Sequence, residues 1–335
     1  MADSKRDSAV GILGLGAYVP ERVMTNDEWA EYVDTSDEWI TERTGIKRRR
    51  LAADDETTVD LGIAAATRAL DHAGVTVDQI DEIVVATDTP EVYIPDTASF
   101  VQERLGTRNV TAYDLGGSGC AGFVLALDIA RSRAVTEGRT ILVIGVELLT
   151  RLMNWQDRET CVLFGDAAGA AVVGPGEPVA SIVSAASGTD GAYSSLLRLE
   201  AGGTRIPFNL ESAQAGLHKK IEMNGREVFK QAVRRMSEAA LEVLTKAELT
   251  LDDVDLMIPH QANLRIINAV GKRLGIDERK VYVNVQEYGN TGSASVPLAL
   301  AEAHERQRIQ PGDRVLLTAF GAGFHWAGLL LEFRA

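Results

Sequence analysis

Cys120 closes a run of small residues, Gly116-Gly117-Ser118-Gly119-Cys120-Ala121-Gly122, and a helical pattern from Phe123 to Arg133 follows it. A thiol at that junction stands at a helix N-terminus, where the macrodipole and unpaired N–H groups favour thiolate. The chemistry on offer is nucleophilic attack through sulfur. An isolated cysteine is otherwise a small buried hydrophobe, and that is the reading for Cys161, which opens an apolar strand-like run, Val162-Leu163-Phe164. His260 follows the apolar run Val254–Ile258 within Pro259-His260-Gln261-Ala262-Asn263. α/β folds place sites at the C-terminal ends of strands, although a structural, hydrogen-bonded histidine fits the same position. Asn290, in Tyr288-Gly289-Asn290-Thr291-Gly292, and the segment Phe320-Gly321-Ala322-Gly323-Phe324 are, taken singly, turn signals. His72 and His304 lie in charged helical patterns and His218 precedes two lysines, so all three are expected at the surface.

Other chemistries find little support. No phosphate-binding GxxxxGK[ST], no HExxH and no zinc-spaced Cys/His cluster occurs, so no metal site is expected. Gly14-Leu15-Gly16 begins like a dinucleotide fingerprint, but Val19 holds the place of the third glycine.

The elements that carry these residues repeat. Residues 69–85 match residues 243–259 at an offset of 174: Ala73 falls on Ala247, Thr76 on Thr250, Asp78 on Asp252 and Asp81 on Asp255. The echo continues in order. Arg104-Leu105-Gly106 matches Arg273-Leu274-Gly275, Gly119-Cys120 matches Gly292-Ser293, Gly138 matches Gly312, and Ala168-Gly169 matches Ala327-Gly328. Each half reads as helix, strand, loop, helix, strand, strand. Continuous apolar runs such as Ile141–Val146 indicate sheets covered on both faces. The expectation is two similar α/β halves, 1–180 bearing the cysteine and 181–335 bearing the histidine and asparagine, layered α-β-α-β-α about a pseudo-twofold. Ser187–Gly203 reads as a Gly-rich excursion early in the second half.

The chain has 335 residues, 45% hydrophobic and 24% charged, with 34 basic and 48 acidic residues and a net charge of −14. That acidity argues against nucleic-acid binding, which draws its affinity from phosphate neutralisation. Two cysteines make no disulfide framework, and a reducing, cytoplasmic setting fits. The segment from Met1 to Asp7 lacks a signal-peptide core, and no stretch reaches the roughly 18 apolar residues of a membrane span.

Taken together, the motifs resemble the β-ketoacyl-acyl carrier protein synthase III (ketosynthase III) branch of the thiolase-like superfamily. The residues that carry the resemblance are Asp34-Thr35-Ser36-Asp37-Glu38-Trp39-Ile40, Arg43-Thr44-Gly45-Ile46, Cys120-Ala121-Gly122-Phe123, Phe164-Gly165-Asp166, the stretch from Pro259 to Ile266, Gly289-Asn290-Thr291 and Phe320–Phe324. The resemblance implies a thiolase-like duplicated five-layer fold and a decarboxylative Claisen condensation. A short primer acyl-CoA acylates Cys120, malonyl-acyl carrier protein loses CO2, and the carbanion attacks the Cys120 thioester. No cofactor is implied beyond the CoA thioester substrate. His260 and Asn290 are implied as donors to the enolate, and the backbone N–H groups of Cys120 and Ala322 as the oxyanion hole of acyl transfer. CoA is implied to meet Thr35, Trp39, Arg43, Arg158 and Asn263, with adenine between Trp39 and Arg158. Ile94 and Phe320 are implied at the primer pocket, Ile94 reaching across a homodimer interface. Lys230, Arg265, Lys272 and Arg273 are implied as the basic patch for the carrier protein.

Three positions depart from the family pattern: Gly119, where Ala is usual and which suggests a looser elbow; His325, commonly Thr; and Ile94, where a large Phe goes with short primers. Ile94 suggests a pocket that also takes branched or longer primers. The alternatives are a related acyltransferase or starter enzyme of secondary metabolism, and a non-catalytic chain that only binds carrier protein or CoA.

Overall fold

The computed structural model describes residues 10–334; the segment Met1 to Asp7 considered above lies outside them. Nine strands form one mixed sheet: β1 (Val10–Tyr18), β2 (Glu82–Ala86), β3 (Thr111–Leu115), β4 (Ile141–Leu148), β5 (Asp166–Pro175), β6 (Ala180–Thr189), β7 (Leu256–Pro259), β8 (Arg314–Gly321) and β9 (His325–Phe333). Their order is β7-β8-β9-β6-β1-β5-β4-β2-β3. The sheet narrows in its middle, where β1 meets β6 only at Gly11–Ser181 and Ile12–Ala180. On one side of this seam the order outward is β1-β5-β4-β2-β3, and on the other β6-β9-β8-β7. A single parallel bridge, Met257–Val281, takes the place that β3 holds opposite.

Period-2 alternation sorts the strand side chains into layers. Ile83, Val85, Leu142 and Ile144 pack under the outer helices α1 (Thr58–Ala73) and α2 (Thr97–Leu105). Their neighbours Val84, Ile141 and Val143 face inward onto α3 (Gly122–Glu137). In the other half, Leu316 and Leu330 pack under α4 (Gly225–Lys246) and α5 (Leu264–Leu274). Val315, Leu317, Leu329 and Leu331 face inward onto α3 and α6 (Ser295–Glu305). The result is the five-layer α-β-α-β-α arrangement, with one core shared by both half-sheets through α3 and α6. Side chains buried there, such as Phe123 and Leu127, each contribute about 1.5–3 kcal/mol.

The sequence repeat is written into the backbone. Thr76 caps with Gln79 as Thr250 caps with Asp253, and the two backbone N–H bonds are both 2.8 Å. Gly74 ends α1 at φ 62°, and Glu248, its counterpart, takes φ 57°. Gly119 and Gly292 correspond, at φ 57° and 56°.

Several expectations are corrected. Gly14 and Gly16 serve packing: a Cβ on either would lie within 2.5 Å of the α1 backbone. The excursion starts later than expected, because Ser187–Thr189 complete β6. It runs from Asp190 through a small hairpin, Leu197–Leu199 with Ile221–Met223. Cys161 ends a short helix, Arg158–Cys161, instead of opening a strand, and burial pushes its thiol up to about 11. His304 is half-buried with its ring centre 5.0 Å from that of His72 at a tilt of 34°, and His72 Nδ1 meets the Leu15 N–H at 3.1 Å. His218, also half-buried, packs edge-on against Phe208.

Candidate active site

The loops at the C-terminal ends of β3, β7 and β8 converge on a cavity of about 1470 Å3 that Cys120, His260 and Asn290 all line. Cys120 sits in a 3-10 turn, Gly119–Ala121, that runs directly into α3. The turn meets the loop after β8 backbone to backbone. A Cβ on Gly119 would lie 2.5 Å from the Ala322 nitrogen, and one on Gly321 would lie 2.4 Å from the Cys120 nitrogen. Gly119 therefore tightens the elbow; with φ 57° and no space for a side chain, the junction needs glycine. The Ala322 side of the joint is pinned by Asp190 and Phe324, whose backbones exchange bonds of 2.9 and 3.2 Å.

His260 leaves β7 with its N–H on the Thr318 carbonyl at 2.8 Å. Its Nδ1 lies 2.5 Å from Ser295 Oγ, which also accepts the Gln261 N–H at 3.4 Å. With that oxygen accepting from the backbone, its hydroxyl proton is free to go to Nδ1. The ring proton then sits on Nε2, making it a donor. Burial drives the His260 pKa down to about 3, so the imidazole is neutral at physiological pH. Asn290 is tied to the first half by bonds with Leu163 and Gly165, at 2.8 and 3.0 Å. Its Oδ1 accepts the Gly292 N–H at 2.9 Å and lies 4.0 Å from Cys120 Sγ. Behind this loop runs buried Arg49, which donates to Asn26 Oδ1 at 2.6 Å and to the Val162 carbonyl. Its stem packs against Gly165 and Gly289, and burial lowers its pKa to about 9.

Two carboxyls beside the cysteine were not singled out from the sequence. Glu147, near the end of β4, is buried, and Asp88 follows β2; both line the cavity. Glu147 meets Thr89 Oγ1 at 2.8 Å, Ser293 Oγ at 2.9 Å and the Asp88 N–H at 3.1 and 3.2 Å. Ser293 Oγ also lies 2.8 Å from the Ala86 carbonyl. One hydroxyl proton cannot serve both acceptors, so Glu147 satisfies the pair when protonated and donating to Ser293. Its pKa agrees, pushed up to about 8 by burial and by the Asp88 charge. Burial also raises Asp88, against the pull of the Gly119 and Gly117 N–H groups and of His325. The Cys120 thiol is pushed well up by burial and by the charges of Asp88 and Glu147. The expected thiolate is not the resting form: the helix terminus does not outweigh desolvation. The signal for Glu147 was present, as a lone acid in the apolar run Ile141–Leu149.

Of the residues assigned to CoA, Trp39, Arg43 and Asn263 line the cavity. Thr35 and Arg158 are not among its lining residues, and the Thr35 hydroxyl is buried with no hydrogen-bond partner among the described residues. Trp39 and Arg158 leave no slot for adenine as they stand. The Arg158 guanidinium lies 4.8 Å from the Trp39 ring and that of Arg43 lies 4.4 Å from it. A sandwiched ring needs about 7 Å, two carbon contacts of ~3.5 Å. Arg158 is held there by the Asp34 carbonyl at 3.0 Å. Asn263 caps α5, accepting the Arg265 N–H at 2.8 Å. Phe320 is buried against the cavity, whereas Ile94 is 81% exposed and does not line it. Lys230 pairs with Glu227 at 3.4 Å. Arg265, Lys272 and Arg273 are exposed on α5, with no ion pair among the described residues. His325, the other departure, bonds Thr189 at 2.7 Å through Nδ1.

A duplicated five-layer fold with Cys, His and Asn meeting where its halves touch is the thiolase-like, condensing-enzyme class. Comparison with known proteins narrows this. Residues 113–191 match the family 3-oxoacyl-[acyl-carrier-protein (ACP)] synthase III, and residues 244–333 match its C-terminal family. A β-ketoacyl-[acyl-carrier-protein] synthase III of Symbiobacterium thermophilum is 50% identical, covering 97% of this chain and 98% of that one. The protein of the same name from Oleidesulfovibrio alaskensis is 48% identical over 96% of this chain and 98% of its own. Among solved structures, 3-oxoacyl-[acyl-carrier-protein] synthase III from Aquifex aeolicus matches with a TM-score of 0.89 and 43% identity, covering 97% of this chain and all of that one. The priming β-ketosynthase of the R1128 polyketide pathway matches with a TM-score of 0.89 and 38% identity over 97% and 96%. The chain belongs to the β-ketoacyl-[acyl-carrier-protein] synthase III family of ketosynthases, which are acyltransferases.

Proposed function

We propose that this enzyme condenses a primer acyl-CoA with malonyl-acyl carrier protein through a Cys120 acyl-enzyme, releasing CoA and CO2 and starting fatty-acid chains in the cytoplasm. The convergence of Cys120, His260 and Asn290 at one cavity carries this reading. In the first half-reaction the Cys120 sulfur attacks the primer thioester and takes the acyl group, the acyl–sulfur bond to CoA breaks, and the thiol proton leaves with the CoA sulfur. The N–H groups of Cys120 and Ala322 hold the oxyanion at the elbow joint. In the second, the malonyl thioester loses CO2, and its oxygen takes up negative charge facing His260 Nε2 and the Asn290 amide nitrogen. A neutral, Nε2-protonated imidazole suits donation. An asparagine whose oxygen is occupied by the Gly292 N–H presents its NH2. Each such donor supplies about 3 kcal/mol.

The halves 1–180 and 181–335 divide the labour, the first bringing the nucleophile and the second the enolate donors. CoA enters past Trp39, Arg43, Thr35 and Asn263 once Arg158 leaves the indole face. Lys230, Arg265, Lys272 and Arg273 meet the acidic carrier protein, an association that salt weakens. The exposed loop bearing Tyr93 and Ile94, 78% and 81% accessible, suits burial in a homodimer, with Ile94 against the partner's primer pocket. A starter role in secondary metabolism is the second reading, and the likeness to the priming β-ketosynthase of the R1128 polyketide pathway, 38% identical, is the observation that favours it.

The test is to expose the protein to a panel of acyl-CoAs, read the mass of the Cys120 peptide, then add malonyl-carrier protein and measure CO2. Acylation followed by condensation is expected. Acylation without CO2 release would indicate an acyltransferase, and no acylation would sink both readings.

A further inference from the structure

Asn290 depends on its neighbours for the direction of its amide. Its backbone is fixed by Leu163 and Gly165, but that leaves the side chain able to turn end for end. What settles the amide is the Gly292 N–H, which donates to Oδ1 at 2.9 Å and so leaves the NH2 to the cavity that Asn290 lines. Gly292 opens a 3-10 turn, Gly292–Ala294, that sits on β4. A Cβ on Gly145 would lie 2.7 Å from the Ser293 carbonyl, and one on Gly292 would lie 2.7 Å from Glu147 Cγ. The turn is thus pressed onto one face of β4. Glu147 is the side chain that grips it, with Oε1 2.9 Å from Ser293 Oγ. Glu147 also accepts from Thr89 Oγ1 at 2.8 Å and from the Asp88 N–H at 3.1 Å, so it ties the first half of the chain to the turn in the second. The strand around it, Ile141–Leu148, is otherwise apolar and buried, and a carboxyl there costs stability that an aliphatic side chain would not.

Resting on the ketosynthase reading above, we infer that Glu147 is a positioning residue for decarboxylation. By clamping the Gly292–Ala294 turn it holds the Gly292 N–H on Asn290 Oδ1, and so aims the Asn290 NH2 at the malonyl thioester oxygen. The clamp works in the neutral form. Ser293 Oγ donates to the Ala86 carbonyl at 2.8 Å, so its bond to Glu147 needs the proton on the carboxyl. Burial, together with the Asp88 charge, favours that proton. A neutral acid also adds no charge beside the enolate. Glutamine can reproduce the arrangement, with its NH2 toward Ser293 and its oxygen accepting from Thr89 and Asp88. Alanine cannot.

Single-turnover CO2 release from malonyl-carrier protein, measured on full-length enzyme already acylated by acetyl-CoA, reads the step that Asn290 serves. Expressed per acylated cysteine, the rate does not count unfolded protein. Loss of a whole oxyanion donor sets the ceiling, about 100- to 1000-fold. Glu147→Ala should slow CO2 release about 10- to 100-fold, short of that ceiling, and Glu147→Gln should stay within about threefold of wild type. The deciding comparison is made in Asn290→Ala. With the amide gone, Glu147→Ala should slow the reaction by no more than about a further threefold, because two residues that act through one group are not additive. An undiminished loss in that background overturns the inference, as does a glutamine variant as slow as alanine. If Glu147→Ala does not fold, Ser293→Ala cuts the same link. It should slow CO2 release about 3- to 10-fold, the range of one ordinary hydrogen bond, in the native background and not in Asn290→Ala. Equal slowing in both backgrounds overturns the inference. If the wild type releases CO2 and Glu147→Ala leaves the rate unchanged, only the Glu147 inference fails. If the wild type is not acylated, or is acylated and releases no CO2, the ketosynthase reading fails and takes this inference with it.

Discussion

Ser295→Ala should separate the two half-reactions. Ser295 Oγ sits 2.5 Å from His260 Nδ1 in a fully enclosed site, and nothing else among the described residues touches that nitrogen. Removing the hydroxyl leaves a buried ring nitrogen unpaired, at a cost of about 1–3 kcal/mol. The ring can recover part of that cost by moving its proton to Nδ1, which removes the Nε2 donor. The upper bound on the loss is one oxyanion donor, about 3–4 kcal/mol. CO2 release from malonyl-carrier protein should therefore slow by roughly 10- to 100-fold, at 1.36 kcal/mol per tenfold. Acylation of Cys120, which uses the backbone N–H groups at the elbow, should stay within about threefold on the same energy scale. Single-turnover acylation followed by mass, and 14CO2 release from labelled malonyl-carrier protein, read the two steps independently. If both steps fall equally, His260 acts on the cysteine and the donor argument is wrong. If neither falls, Ser295 does not set the tautomer.

The pH response follows from the same site. The depressed His260 pKa means that the folded state resists protonation: its stability is intact above pH 6.5 and is lost as pH falls towards 3. Glu147 works in the opposite sense. With a folded pKa near 8 against 4.5, its contribution is present below 4.5 and is lost as pH rises through 8. Glu147→Gln should flatten the fall in unfolding free energy between pH 4.5 and 8, and a fall as steep as wild type would reject the protonated-acid assignment. At the cavity mouth, Trp39→Ala should raise KM for acyl-CoA about tenfold through lost ring stacking, while leaving acyl-pantetheine unaffected. A matching rise for acyl-pantetheine would place the indole elsewhere on the substrate.

Much of the architecture was legible because the repeat fixes it. The offset of 174 that aligns Thr76 with Thr250 aligns their capping boxes, and the continuous apolar runs in β2, β4 and β8 call for cover on both faces and so for layers. Cys120, His260 and Asn290 were legible as motifs, and the fold brings all three to one cavity. What escaped are features set by long-range proximity. Asp88 reads as a turn residue before Pro90, and only the approach of β4 makes it one of a carboxyl pair. Ser295 reads as part of an apolar helix until His260 is laid across it. The Trp39–Arg158 contact depends on a backbone carbonyl at Asp34, which no pattern of side chains announces. The thiolate expected at Cys120 counted the helix dipole but not the burial and negative charge that the fold adds.

The narrow seam between β1 and β6 leaves α3 and α6 as the principal join between the half-sheets, and this bears on how the chain is made. When residues up to 175 have left the ribosome, β1 to β5 can pair and the outer face can close under α1 and α2. The face of α3 that will meet β6, β8 and β9 has nothing to cover it. At 5–20 residues per second, the remaining ~160 residues take roughly 8–32 s to appear. Through that interval the nascent chain carries an apolar helix face and an open sheet edge at β1. A split of the gene at the seam should therefore give two fragments that aggregate apart and fold only when synthesised together.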